Sequence, residues 1–315
     1  MRGAGGASPP APRIQRRVNM ASATAEPSAV RRVSAFFFRH PRLKLTANLG
    51  PPVVWFVVIY LGALVLLFAT AFWHLDPFSG EVVKTMGFQN FKQLWTDDVY
   101  RTITLRTAGI AAAVTVTDVV LGFPIAYYAA RLASPRRRNA ILIAVVLPLW
   151  ANYLVRIFAW KLILSSGGFL TWLSGLVGLD VKIGNSMWAI WIAFSYLWLP
   201  FALLPIYGAL ERVPGSLLEA SGDLGARGWL TFRRVVFPLI VPGIAAGSIF
   251  SFSLTLGDYI APTLVGNTRF IGNVIYESVG IANNGPFAAA FALVPVVIIA
   301  LYLVVSWRLG AFEAL

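Results

Sequence analysis

Six runs of apolar residues, each about as long as a bilayer is thick, punctuate this chain. A helix rises about 1.5 Å per residue, so crossing the hydrocarbon takes roughly 20 apolar residues. The run 53–73 is uncharged and ends in Trp73, a residue suited to the membrane interface. The run 103–130 contains Arg106 near its start and Asp118 in its middle, and 139–160 contains Arg156 near its end. The run 187–210 is uncharged and carries Trp188, Trp191, Tyr196 and Trp198. The runs 235–257 and 288–307 complete the set. The pattern predicts an all-α integral membrane protein with six transmembrane helices in one membrane domain over 53–307.

Composition agrees with that pattern and removes the alternatives. The chain has 315 residues, 58% hydrophobic and only 12% charged, with a mean hydropathy of +0.72. Soluble domains carry about 25% charged residues, and half that fraction leaves too little polar surface to cover a globule. The absence of cysteine excludes a disulfide scaffold, and an aromatic content of 14% excludes disorder over most of the length.

The excess of 26 Lys and Arg over 13 Asp and Glu is placed unevenly. Basic residues crowd the first fifty positions, the loop 131–138 (Arg131, Arg136, Arg137, Arg138) and the loop 211–234 (Arg212, Arg227, Arg233, Arg234). The alternate loops hold fewer: Lys84, Lys92 and Arg101, then Lys161 and Lys182, then Arg269. Cytoplasmic loops accumulate Lys and Arg, so both termini are expected in the cytoplasm. No basic face is interleaved with base-stacking aromatics, so no nucleic-acid partner is expected; the surrounding lipid is the solvent. Residues 1–52 are rich in Ala, Pro, Ser and Arg. They read as a disordered cytoplasmic tail with an interfacial end, and 308–315 as a short cytoplasmic tail.

Most predicted spans contain proline: Pro124, Pro148, Pro200, Pro205, Pro242 and Pro295. In a bundle, neighbouring helices can satisfy the carbonyls that proline frees, so these residues mark either kinked packing or a moving hinge. The stretch 257–287 is too polar for a seventh span and is a candidate to re-enter the outer leaflet.

The basic loop reads PGSLLEASGDLGARGWLTFRRVVFPLIVPG over 214–243. Pro214 suits a first helical turn, Leu217, Leu218 and Leu224 can share an apolar flank, and Gly225 and Gly228 permit a sharp change of direction. The expected object is a short surface helix over about 214–230, joined rigidly to the next membrane helix. Glu219, Ala220, Ser221, Gly225, Val235, Phe237 and Pro238 fall at the spacing of a hallmark: E-A-A, three residues, G, nine residues, then I-x-L-P. The segment resembles the coupling loop of binding-protein-dependent ABC transporter permeases, with Ser for the third Ala, Val for Ile and Phe for Leu. In that family it forms the helix that docks into a groove on the cytoplasmic ATPase.

The resemblance covers about 87–307 and includes three further stretches. LVRIFAW at 154–160, YLWLPFALLPIYGALER at 196–212 and LGDYIAPTLVG at 256–266 look like segments of spermidine/putrescine importer permeases of the first type. The resemblance implies an ABC type I importer permease architecture in the bacterial inner membrane, multi-pass, and a polyamine solute. Permeases for opines, phosphonates, iron or thiosulfate share parts of the pattern and remain the alternative. It also implies three partners: a cytoplasmic ABC ATPase dimer, a second permease subunit making a heterodimer, and an extracytoplasmic substrate-binding protein.

Gly-Lys occurs nowhere in the chain, so a G-x-x-x-x-G-K-[ST] phosphate cradle is impossible. ATP and Mg are therefore expected on the partner ATPase, and no cofactor on this chain. The histidines are His40 and His74, and there is no H-E-x-x-H, so no catalytic or metal site is expected. A secondary transporter would show internal repeats, of which none is clear, and gives no reason for the coupling motif.

For the solute path, Asp118 stands out, because a charge at membrane depth is expensive; lining the path and pairing within the bundle are both open. Arg156 either anchors at the interface or makes an internal pair. Asp258 and Tyr259 sit at the outer mouth of the fifth run, where a carboxylate beside aromatic faces suits an ammonium group. Tyr153, Trp160, Tyr196 and Trp198 could supply such faces, although aromatics near interfaces also serve as belt residues.

Overall fold

The computed structural model describes residues 38, 41–176, 178 and 183–308. The tail 1–37 and the last seven residues lie outside them. Among the described residues, six helices are long and apolar enough to cross a membrane. They are Leu45–Thr70, Asp98–Leu132, Tyr153–Leu176, Met187–Arg212, Gly228–Gly257 and Gly285–Arg308, here called spans 1 to 6.

The chain divides into two compact units between Ala63 and Leu64, inside span 1. In the amino-terminal unit, helix α1 (Pro41–Phe56) carries Pro51 and Pro52 in its interior and widens into a π turn over Val57–Leu61. Residues 41–52, expected to continue a disordered tail, are thus helical. Lys44 is the last charge before Pro51, and the uncharged residues after it extend the apolar run toward the amino terminus.

The larger unit begins at Leu64, within helix α2 (Gly62–Thr70), which completes span 1. A two-stranded antiparallel hairpin follows, β1 (His74–Leu75) with β2 (Val82–Val83), pairing His74 with Val83. Helix α3 (Gln89–Thr96) leads into α4 (Asp98–Tyr127), whose start is capped by the Asp97 side chain accepting from the Val99 N–H at 2.9 Å. Helix α4 ends in a π turn over Tyr128–Leu132.

The predicted third span, 139–160, is not one helix. Helix α5 (Pro135–Val146) tightens into a 3₁₀ turn over Leu147–Trp150, Ala151 is extended, and α6 (Tyr153–Leu164) starts afresh. Pro148 has no N–H to continue the ladder, and the Asn152 side chain caps the new helix by accepting from the Leu154 N–H at 2.9 Å. The sufficiently long apolar run is instead Tyr153–Leu176, which joins α6 to α7 (Phe169–Leu176).

Span 4 is the single helix α8 (Met187–Arg212), with Pro200 and Pro205 inside it. Two short helices follow, α9 (Gly215–Asp223) and α10 (Gly228–Thr231). Helix α10 passes through a π turn over Phe232–Val236 directly into α11 (Phe237–Gly257), so span 5 starts seven residues before the predicted 235. The stretch after it holds a π turn over Pro262–Gly266 and helix α12 (Ile271–Gly280), and α13 (Gly285–Arg308) forms span 6.

Spans 2, 4 and 5 pack on one another and form the heart of the bundle. Span 4 is the most buried; Phe194, Leu197, Leu203, Ile206 and Leu210 are fully enclosed. Between membrane helices close packing replaces the hydrophobic drive, and small residues allow it. A Cβ at Gly247 of span 5 would collide with the Ala202 carbonyl oxygen of span 4, and one at Gly243 would lie 2.8 Å from the Pro205 carbonyl oxygen. The four-residue spacing of these glycines puts both on one face of α11, so the two backbones meet there.

Candidate functional site

The residues named from the sequence gather at two ends of the bundle, with Asp118 apart from both. At the first end, α9 leaves span 4 at Val213 and closes after nine residues. Its end is a Schellman turn: the Ala226 N–H donates to the Ser221 carbonyl at 3.0 Å, and the Gly225 N–H to the Gly222 carbonyl at 2.8 Å. Gly225 has φ +74°, a left-handed conformation that a Cβ would strain. The spaced glycine of the motif is thus the residue that stops this helix.

Glu219 and Ala220 are exposed on α9, while Ser221 is buried and its Oγ lies 2.8 Å from Thr231 Oγ1. That bond ties α9 to α10 and so to the root of span 5. Val235 sits in the π turn; Phe237 and Pro238, both exposed, begin α11. Around the tie, Leu217, Leu224 (88% exposed) and Trp229 leave apolar surface uncovered on this chain.

The base of this element is anchored by a residue that no local motif marks. Arg131, at the end of span 2, donates through Nη2 to the carbonyls of Leu210 (2.5 Å) and Val213 (2.6 Å). The Leu210 carbonyl, in the last turn of span 4, also accepts from the Val213 N–H at 3.3 Å, and Val213 follows the span's end, so the guanidinium caps the helix terminus from outside. Glu211 beside them accepts from Tyr207 Oη at 3.1 Å and from Arg138 at 3.4 Å. The partners of Arg131 lie about eighty positions away, which no local pattern reveals. Arg131 and Arg138 were visible only as members of a basic cluster.

At the other end, a cavity of about 380 Å³ is lined by Tyr153, Trp198, Ser253, Asp258 and Tyr259, among others. Four of the named residues therefore meet here, and a fifth adjoins them. Tyr153 and Trp198 stack with ring centres 5.9 Å apart, and the Arg156 guanidinium stands 5.9 Å from the Tyr153 ring centre. The Tyr153 hydroxyl donates to Asp258 Oδ2. Asp258 Oδ1 accepts from the N–H groups of Ile260 (2.8 Å) and Ala261 (3.0 Å), fixing the turn that follows span 5. Burial pushes the Asp258 carboxyl up to about 6, against these backbone donors, which act to lower it.

The carboxylate expected to stand open is thus already held by three donors. A cation taking the Tyr153 position at Oδ2 would displace that hydroxyl, the one donor of the three that a side-chain rotation can remove. Trp198 Nε1 and Arg156 Nε are buried nearby without a hydrogen-bond partner among the described residues. Tyr259 is stacked on Tyr276 at 4.8 Å and completes the aromatic wall.

Trp160 and Tyr196 pack on each other at 5.2 Å and do not line this cavity. Asp118 is fully buried between spans 2 and 5, where Ser251 Oγ donates to Oδ2 at 2.5 Å and Oδ1 has no partner among the described residues. Of the two readings open for Asp118, internal pairing is the one this geometry matches. The residue the sequence missed here is Asn273. Its Oδ1 accepts from the Phe270 N–H at 2.9 Å, and its Nδ2 donates to the Tyr259 carbonyl at 2.7 Å and Thr263 Oγ1 at 2.6 Å. It holds the segment after Asp258 in place.

Six membrane-length helices with a short external helix rooted between spans 4 and 5 define a class of membrane transport subunit, and sequence comparison gives the class its family. The profile of the binding-protein-dependent transport system inner membrane component matches residues 122–313, more than half of the chain. The chain belongs to that family and is the membrane-spanning permease of an ABC importer, a multi-pass protein of the bacterial inner membrane.

Among its relatives is the inner membrane ABC transporter permease protein YdcU of Escherichia coli strain K12. The two are 45% identical over 299 residues, which is 90% of this chain and 95% of that one. The spermidine/putrescine transport system permease protein PotB of the same organism is 32% identical over 262 residues, covering 81% and 94% of the two chains. The fold is also that of a chain in the crystal structure of a bacterial alginate ABC transporter in complex with an alginate pentasaccharide-bound periplasmic protein. There the TM-score is 0.68 at 18% identity, covering 88% of this chain and 98% of that one.

Proposed function

We propose that this permease carries a polyamine-type solute, delivered by an extracytoplasmic binding protein, and that a separate cytoplasmic ABC ATPase dimer drives it through α9. The observation that carries the coupling role is the construction of α9. It is stopped by Gly225 in a left-handed turn, tied to the root of span 5 by Ser221 and Thr231, and leaves Glu219 exposed. A rigid element joined to two spans and uncovered on its far side is suited to being gripped by a partner and passing a push into the bundle. Both termini then lie on the ATPase side, in keeping with the basic loops. ATP and Mg reside on the ATPase. A second, distinct permease subunit completes the path, since one such element serves only one of the two ATPase sites.

The polyamine reading is supported by the relation to PotB and by a cavity that sets the Asp258 carboxylate beside Tyr153, Trp198 and Tyr259. An ammonium group would exchange with the Tyr153 hydroxyl at Oδ2 and lie against the rings. Arg156 next to Tyr153 favours a second reading, a small solute carrying an anionic group as well, such as an opine or phosphonate. Competition settles the choice. Uptake of labelled putrescine by cells expressing the complete transporter should be suppressed by excess spermidine and unaffected by phosphonates or opines. Suppression by the anionic solutes alone would replace the polyamine reading with the second.

A further inference from the structure

Arg106 lies eight residues into span 2, about 12 Å along the helix from Asp98. It is half-buried, and among the described residues it makes no ion pair or hydrogen bond. A guanidinium near the end of a membrane helix reaches toward the interface, where an anionic group can meet it. Arg106 opens onto a cavity of about 450 Å³ lined also by Asp98, Thr102, Asn267, Thr268 and Arg269.

The chemistry of this cavity is one-sided. Its acidic member, Asp98, is engaged by Arg101 at 2.7 Å within its own helix. Arg269 pairs with Glu277 through Nε at 3.3 Å and its side chain remains 67% exposed. The Thr102 hydroxyl and the Asn267 side chain make no hydrogen bond among the described residues, and Asn267 is fixed in a left-handed turn at φ +45°. Two guanidinium groups, two hydroxyls and an amide therefore line one space, against the single carboxylate of Asp98. Guanidinium forks match the oxygens of a phosphate group and bind it by paired, charge-assisted hydrogen bonds.

We infer that this cavity is a binding site for a phosphate group, that of an anionic phospholipid in the leaflet reached by the Asp98 end of span 2. The surroundings favour lipid over a free ion. Val99 (57% exposed) lines the cavity and Leu105 (73% exposed) precedes Arg106 on the same helix, giving acyl chains an apolar surface to lie on. Basic pockets between membrane helices hold anionic headgroups by this combination. A bound headgroup would cross-link span 2 to the turn at 267–269, which follows the segment anchored by Asp258.

The test uses the full-length chain purified with its associated subunits and placed in nanodiscs. One set contains phosphatidylcholine alone and another phosphatidylcholine with phosphatidylglycerol; the lipid retained after detergent exchange is measured by native mass spectrometry. The wild type should retain phosphatidylglycerol over phosphatidylcholine. Arg106→Gln should weaken that retention about tenfold, the effect of one charge-assisted pair. Arg269→Gln should act in the same direction, and Arg106→Lys, which keeps the charge, should restore part of it. Titration with inorganic phosphate, read by thermal shift in phosphatidylcholine discs, separates the sources. A shift at millimolar phosphate with equal retention of both lipids would make the site one for free phosphate and overturn the lipid assignment. Unchanged phosphatidylglycerol retention in a folded Arg106→Gln, Arg269→Gln double variant would overturn the site itself.

Discussion

The two ends of this bundle present their chemistry in opposite ways. At the α9 end the distinctive side chains face outward: Glu219 and Ala220 are exposed, and only Ser221 turns inward, to hold the element to span 5. At the cavity end the distinctive side chains hold one another: Tyr153 bonds Asp258, Trp198 stacks on Tyr153, and two backbone donors occupy the remaining carboxylate oxygen. A surface made for a protein partner can stay unsatisfied in water until the partner arrives. A polar group buried in a membrane protein is costly to leave unsatisfied, so a ligand taking the Tyr153 position at Asp258 exchanges with an internal donor. On this comparison, substitutions at α9 should break coupling and spare the bundle, whereas substitutions at the cavity should shift both solute affinity and local order.

The largest effect is expected from Glu219→Arg with Gly225→Pro. Proline cannot adopt φ +74°, so the Schellman turn opens, and the reversed charge faces the partner. Uptake should be abolished and co-purification of the ATPase weakened, while insertion into the membrane remains at the wild-type level. Normal ATPase association in this variant would remove α9 from the coupling role.

Gly247→Leu should be next, and should act on the bundle instead of the lever. A side chain there meets the Ala202 backbone, and overpacking of this kind costs about 1–3 kcal/mol. The expected result is a lower thermal midpoint of the purified complex. An unchanged midpoint would mean that spans 4 and 5 can separate without penalty.

Tyr153→Phe sharpens the other side of the comparison. Removing the hydroxyl frees Asp258 Oδ2, so a cationic solute no longer has to displace a donor; its apparent affinity should rise by a few-fold, about the effect of one hydrogen bond. The affinity should fall as pH drops through about 6, where the Asp258 carboxyl becomes protonated, and this pH response should vanish in Asp258→Asn. The same affinity in Tyr153→Phe and wild type would place the solute elsewhere. The smallest effect belongs to Ser221→Ala, which deletes the bond to Thr231 and should reduce uptake per ATP hydrolysed while leaving hydrolysis itself near normal.

Legibility in the sequence followed the range of the interactions. Glu219, Gly225 and Pro238 could be read as a unit because their roles are set within one turn and one helix start, where spacing along the chain is spacing in the structure. Apolar runs of bilayer length were legible for the same reason. The break at 147–152 was half legible: Pro148 was noted as a kink, but Asn152, which restarts the helix as its cap, was not. What Arg131 and Asn273 do was hidden, since their partners come from other elements and a polar residue carries no mark of the carbonyl it will meet. Tyr153 and Asp258, 105 positions apart, were each picked out for a solute, and their bond to each other was unforeseen.

The most direct test of the account is solute uptake by purified components in sealed vesicles, with and without ATP. The account predicts that this chain reconstituted with its companion permease, ATPase and binding protein accumulates solute only when ATP is supplied, and that Glu219→Arg with Gly225→Pro removes the accumulation. Accumulation by this chain alone, without nucleotide, would contradict it.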